Sequence, residues 1–122
     1  MSQILLAEDE EHIAKLIEFK LKKEGFSVTV AKNGQEALNL FNSTTEWKLL
    51  ILDVMMPLMD GWQVLKQVRH SPFPNIPVLM LTAKSSETDI AKSAELGATR
   101  FLKKPFDPAE LARVVKETLS AP

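Results

Sequence analysis

Four apolar runs along this chain each finish on a residue able to hold a metal, a phosphate or a proton. Leu49-Leu50-Ile51-Leu52 ends at Asp53, and Ile4-Leu5-Leu6-Ala7 ends at Glu8-Asp9. Val78-Leu79-Met80-Leu81 ends at Thr82, and Phe101-Leu102 leads into Lys103-Lys104-Pro105. Glu8, Asp9 and Asp53 gathered at one rim would repel each other by roughly 3 kcal/mol per pair, at ~5 Å and an effective dielectric of ~20. One lysine cannot neutralise three anions, so the cluster calls for a divalent cation. An all-oxygen donor set points to Mg²⁺, with Mn²⁺ as the alternative. Mg²⁺ keeps several waters and takes one or two carboxylates beside a phosphate oxygen, which suits phosphoryl chemistry. Asp53 is then the candidate nucleophile, since a carboxylate can hold a phosphoryl group covalently. Lys104 would supply a cation, and Thr82 a hydroxyl donor to an arriving phosphoryl oxygen.

Such residues converge only if the runs are neighbouring parallel strands, because sites in α/β sheets assemble outside the carboxyl ends of the strands. The chain alternates short apolar runs with helical patterns, which predicts one α/β domain over residues 1–122. Strands are expected near 3–7, 27–31, 48–53, 77–82 and 98–102, in a doubly wound, flavodoxin-like sheet ordered 2-1-3-4-5. The third and fourth runs are apolar throughout and should be central. In the first helix Ile13, Leu16, Ile17 and Leu21 share one face. The last helix opens on Asp107-Pro108-Ala109-Glu110, an N-cap acceptor, a first-turn proline and a capping-box glutamate. The fourth, over about 86–96, offers only Ile90, Ala91, Ala94 and Leu96 for packing and should be the least anchored. Gly25 and Gly97 read as left-handed caps after helices, Gly34 and Gly61 as turns into them.

Composition removes several classes. A net charge of -1 argues against a nucleic-acid partner bound through a basic face, and no cysteine is present for disulfides or thiolate sites. His12 and His70 lack zinc-ligand spacing and read as surface residues. No run is long enough to cross a bilayer, so a soluble cytoplasmic protein without a membrane partner is expected. None of the glycines belongs to a dinucleotide or nucleoside-triphosphate loop.

Glu8-Asp9, Asp53, Thr82-Ala83 and Lys104-Pro105-Phe106, with Met56-Pro57-Leu58-Met59-Asp60-Gly61 after the acceptor, resemble the receiver domain of bacterial two-component response regulators. The likeness spans essentially the whole chain and includes single-domain chemotaxis-type regulators. It implies a (βα)5 fold and phosphoryl transfer to Asp53 from a histidine kinase or a histidine phosphotransfer protein. It implies Mg²⁺ on Asp9, Asp53 and the backbone carbonyl of Met55, with Glu8 beside them, and a cis Lys104-Pro105 peptide. Thr82 and Phe101 would shift together and remodel the face of the fourth helix, fifth strand and fifth helix. That face would control an effector protein or output domain, or a homodimer; the chain would be a switch rather than an enzyme, assisting its own phosphorylation and dephosphorylation.

Three positions depart from the family pattern. Glu8 stands where Asp is usual, Phe101 lacks a tyrosine hydroxyl, and Met55 offers no polar side chain to guide water. Particular residues count against two rival readings. A Mg²⁺-dependent phosphatase with an aspartyl intermediate would need a second acid two residues after the nucleophile, where Met55 stands. A flavin module would need phosphate-gripping Ser, Thr and Gly after the first strand, where Glu8-Asp9-Glu10-Glu11 stands. Trp62 should pack near Asp53, and Trp47 should precede the third strand.

Overall fold

The computed structural model describes residues 3–83 and 87–120. Strands β1 (Gln3–Ala7), β2 (Ser27–Ala31), β3 (Trp47–Asp53), β4 (Val78–Thr82) and β5 (Arg100–Lys103) alternate with helices. These are α1 (Glu11–Lys23), α2 (Gly34–Ser43), α3 (Gly61–Arg69), α4 (Glu87–Leu96) and α5 (Pro108–Ser120). The strands pair in parallel in the order β2-β1-β3-β4-β5, as expected from the alternation of elements.

Because strand side chains alternate, each central strand feeds two cores. Ile4, Leu6, Leu49, Ile51, Leu79 and Leu81 face Ile17, Leu21, Leu111 and Val115 of α1 and α5. Leu5, Leu50, Leu52 and Met80 face Phe41, Val64, Leu65 and Val68 of α2 and α3. An apolar strand covered on both faces places its last residue at a dry rim, and Asp53 sits there on the middle strand.

Several boundaries move. The fifth strand begins at Arg100 rather than 98, because Thr99 makes a different join. Its amide donates to the Val78 carbonyl at 2.9 Å, and its hydroxyl accepts from the Val78 amide at 3.0 Å. Trp47 opens β3 instead of preceding it, its indole N–H donating to the Leu40 carbonyl at 3.0 Å. Leu16 departs from its expected buried stripe. It is 48% exposed, at the edge of an open apolar cleft lined also by Ile13, Pro105, Phe106 and Pro108. Asp107 caps α5 through the Ala109 amide at 2.8 Å, while a full capping box joins Asp60 and Gln63 at the start of α3.

In helix α4 only part of the expected packing set falls among the described side chains. Ala91 and Ala94 are exposed, Leu96 is half-buried against the α3 side, and the Ile90 side chain lies outside the described residues. Cations of two helices supplement that packing. The Lys92 ammonium stands 5.5 Å from the Trp62 ring centre. Arg69, at the end of α3, donates to the carbonyls of Gly97 (2.9 Å), Pro74 (2.9 Å) and Ile76 (2.7 Å). Burial without a carboxylate neighbour among these contacts pushes the Arg69 guanidinium below its ordinary pKa.

Candidate functional site

Three strand ends build the site. At the end of β1, the Glu8 amide donates to the Ala31 carbonyl at 3.0 Å, which turns the Glu8 side chain inward to 1% exposure. Asp9 follows and is exposed. At the end of β3, Asp53 is 4% exposed, and the next amide, Val54, continues the ladder to the Leu81 carbonyl at 2.9 Å. After β5, the Lys104 amide donates to the Thr82 carbonyl at 2.7 Å, and its peptide to Pro105 is cis. The lysine then reaches back over the rim. Its Nζ lies 2.9 Å from Glu8 Oε1 and 3.2 Å from Asp53 Oδ2.

Glu8, Asp9 and Asp53 each present a carboxylate oxygen, and these lie within 4.8 Å of one another. The repulsion read from the sequence is therefore realised. Burial pushes the Glu8 carboxyl up to about 7, and the hydrogen bond and charge of Asp53 add to it against the pull of Lys104. Burial alone would lower the Lys104 ammonium, but its bond to Glu8 and the charge of Asp53 hold it above its usual value. A carboxyl pushed toward its protonated form by burial, with Asp53 adding to the push, leaves room for further positive charge. Three hard oxygens, two of them on buried residues, fit a divalent cation.

The other residues named from the sequence are spread more widely over the fold. Thr82 is buried at the end of β4, paired in register with Lys103. Phe101 sits on β5 opposite Met80 at 38% exposure, outside the acidic cluster. Met55 directs its side chain to solvent at 72% exposure while its amide approaches Asp53 Oδ1 at 3.4 Å. His12 and His70 are exposed, and His70 Nδ1 pairs with the Lys66 carbonyl at 2.8 Å. Trp62, the second residue of α3, is buried.

Residues 4–116 match the sequence profile of the response regulator receiver domain. The chain belongs to the response regulator receiver family. It is 42% identical over 98% of its length to a CpxR homologue, a transcriptional regulatory protein of Haemophilus influenzae, covering 51% of that protein. It is also 42% identical to PhoP of Bacillus subtilis, a regulator of alkaline phosphatase synthesis, over 96% of this chain and 48% of that one. The receiver domain of a Francisella response regulator superposes with a TM-score of 0.91 at 34% identity, covering 98% of this chain and 97% of that one. This receiver spans about half the length of the curated relatives it matches. Its place is among signalling receivers of two-component systems, and not with the flavin modules that share the topology. No helix among the described residues is long and apolar enough to cross a membrane.

Sequence reasoning misses the contributions that depend on which segments meet. Leu58 adopts φ 69, in the left-handed region, and the Met59 amide donates to the Pro57 carbonyl at 2.8 Å across it. This is a γ-turn of the strained, rare hand. Gly61 packs where a Cβ would stand 2.2 Å from the Asp53 carbonyl oxygen. A leucine in a left-handed turn has no signature of its own in composition.

Proposed function

We propose that this receiver accepts a phosphoryl group on Asp53 from the phosphohistidine of a sensor histidine kinase or a histidine phosphotransfer protein. An Asp53 carboxylate oxygen attacks phosphorus, the P–N bond breaks, and its electron pair stays on the imidazole of the donor. Glu8, Asp9, Asp53 and the Met55 backbone carbonyl would hold Mg²⁺, which Mn²⁺ could replace. Bound there, the ion supplies charge stabilisation to the phosphoryl oxygens during in-line transfer. Lys104 orients the Asp53 carboxylate beforehand and pairs with a phosphoryl oxygen afterwards. Thr82 donates its hydroxyl to another.

The observation that carries this reading is the Lys104 ammonium bridging Glu8 and Asp53 at 2.9 and 3.2 Å. One cation over two buried carboxylates is an arrangement ready to exchange partners when a dianion arrives. Phosphorylation replaces the single negative charge of the Asp53 carboxylate with a phosphoryl group of about -1.5 to -2 and brings three acceptor oxygens. A full reversal of a two-state equilibrium needs about 5.5 kcal/mol of differential binding. Two charge-assisted bonds from Thr82 and Lys104 supply much of it. Phe101 follows Thr82 and remodels the α4-β5-α5 face, which then binds an effector, an output domain or a second copy. The receiver, residues 1–122, works in the cytoplasm as a switch that assists its own phosphorylation and dephosphorylation.

The test is incubation with acetyl phosphate and Mg²⁺ followed by intact mass. One phosphate adduct is expected, absent in Asp53→Asn and absent when EDTA removes the metal. An adduct that survives Asp53→Asn would move the acceptor elsewhere.

A further inference from the structure

The β3–α3 loop, residues 54–60, carries the backbone around Asp53 and Met55, yet much of it faces water. Met55 and Leu58 are exposed, and Leu58 is strained. Something must hold this loop in register with the acidic cluster. The closing bond from the Gly61 amide to the Val54 carbonyl, at 2.9 Å, ties its two ends together. The middle rests on a different helix.

Gly34 is the first residue of α2, which contributes no carboxylate to the acidic cluster. A Cβ there would stand 2.1 Å from the Met59 carbonyl oxygen, 2.7 Å from the Met59 Cβ and 2.8 Å from its carbonyl carbon. Backbone on backbone cannot give way as a flexible side-chain tip can. The conformation of Gly34 is not left-handed, unlike Gly25 and Gly97, so space and not φ requires glycine here. The α2 N-terminus is itself held still, because Asn33 Oδ1 accepts from the Glu36 amide at 2.8 Å. On the other side, Gly61 meets the Asp53 carbonyl with the same lack of clearance. The loop is gripped between two helix starts that carry no side chain.

We infer that Gly34 is a positioning residue for the acidic site: it seats the Met59 backbone and thereby sets where the Met55 carbonyl and the Asp53 carboxylate lie. A methyl group at residue 34 must lift the loop, and the displacement passes along 55–59 to the oxygens that would face the cation. This inference rests on the metal and acceptor reading above.

The experiment compares Gly34→Ala with Gly25→Ala in the full chain. Gly25 has φ 96, and a methyl group added there would meet nothing within 4 Å, so its alanine variant is strained without touching the loop. Backbone amide NMR shifts of Asp53, Met55 and Gly61 are read without metal, and Mg²⁺ affinity by titration. Gly34→Ala should move those amides and weaken Mg²⁺ binding roughly tenfold, as loss of an outer-shell support does. Gly25→Ala should lose stability and leave both readings at wild-type values. Unmoved amides with unchanged Mg²⁺ affinity in Gly34→Ala would overturn the inference, as would equal effects in both variants. If Gly34→Ala does not fold, Asn33→Ala frees the same seat without adding bulk, and the same readings decide. A wild-type chain that takes no Mg²⁺ defeats the proposed metal site instead, and the amide shifts alone then judge Gly34.

Discussion

At the scale of single residues, the chemistry turns on Glu8. Its folded pKa of about 7 exceeds its ordinary 4.5, so between those values the folded chain holds a proton that the unfolded chain has released. Linkage then gives a stability that falls as pH rises through this window. In EDTA, the urea midpoint should drop between about pH 4.5 and about pH 7, and Glu8→Gln should flatten that slope. A wild-type midpoint that is level or rising over this range would contradict the reading. Lys104 is raised as well, so its own contribution is lost only in more alkaline solution. Met55 bears on the lifetime of the phosphorylated state. Its side chain is exposed beside the acceptor and cannot orient water. Met55→Asn and Met55→Glu should change the decay rate of the adduct, followed by intact mass over time, and identical decay in all three chains would refute that role.

At the scale of elements, strain and anchoring sit on either side of the acceptor strand. Leu58 holds a left-handed φ of 69 and is 84% exposed, so glycine there removes strain and forfeits little packing. The left-handed conformation costs an L-residue roughly 1–2 kcal/mol, and glycine returns about 0.5–1 of that in chain entropy. Leu58→Gly should therefore stabilise the receiver by up to about 1 kcal/mol in urea denaturation. The far end of α3 is anchored differently. Arg69 donates to the carbonyls of Gly97, Pro74 and Ile76, joining the α3 terminus to the segments before β4 and β5. Arg69→Ala should cost about 2 kcal/mol. Hydrogen exchange at the C-terminal turn of α4 should accelerate, while β3 and β4 keep their protection.

At the scale of the molecule, most of the architecture was legible because patterning and topology agree. Apolar runs such as Leu49–Leu52, alternating with helical segments, fit a parallel sheet covered on both faces, and that arrangement brings Glu8, Asp9, Asp53 and Lys104 to one rim. What stayed hidden depends on encounters between distant segments. Leu16 looks like core from its helical spacing, but the cleft it borders stays open. Gly34 looks like a turn residue after Asn33, and only the approach of Met59 shows that its missing side chain is the point. The join at Thr99 shortens a strand that its apolar content alone would extend.

The ammonium that roofs Trp62 gives the receiver an optical gauge of its own. Indole emission responds to nearby charge, and Lys92 belongs to α4, whose described side chains are exposed or half-buried. A chain with Trp47→Phe would carry one fluorophore, wedged between the acceptor loop and that helix. Any sliding of α4 during signalling would then be written in the colour and intensity of a single residue.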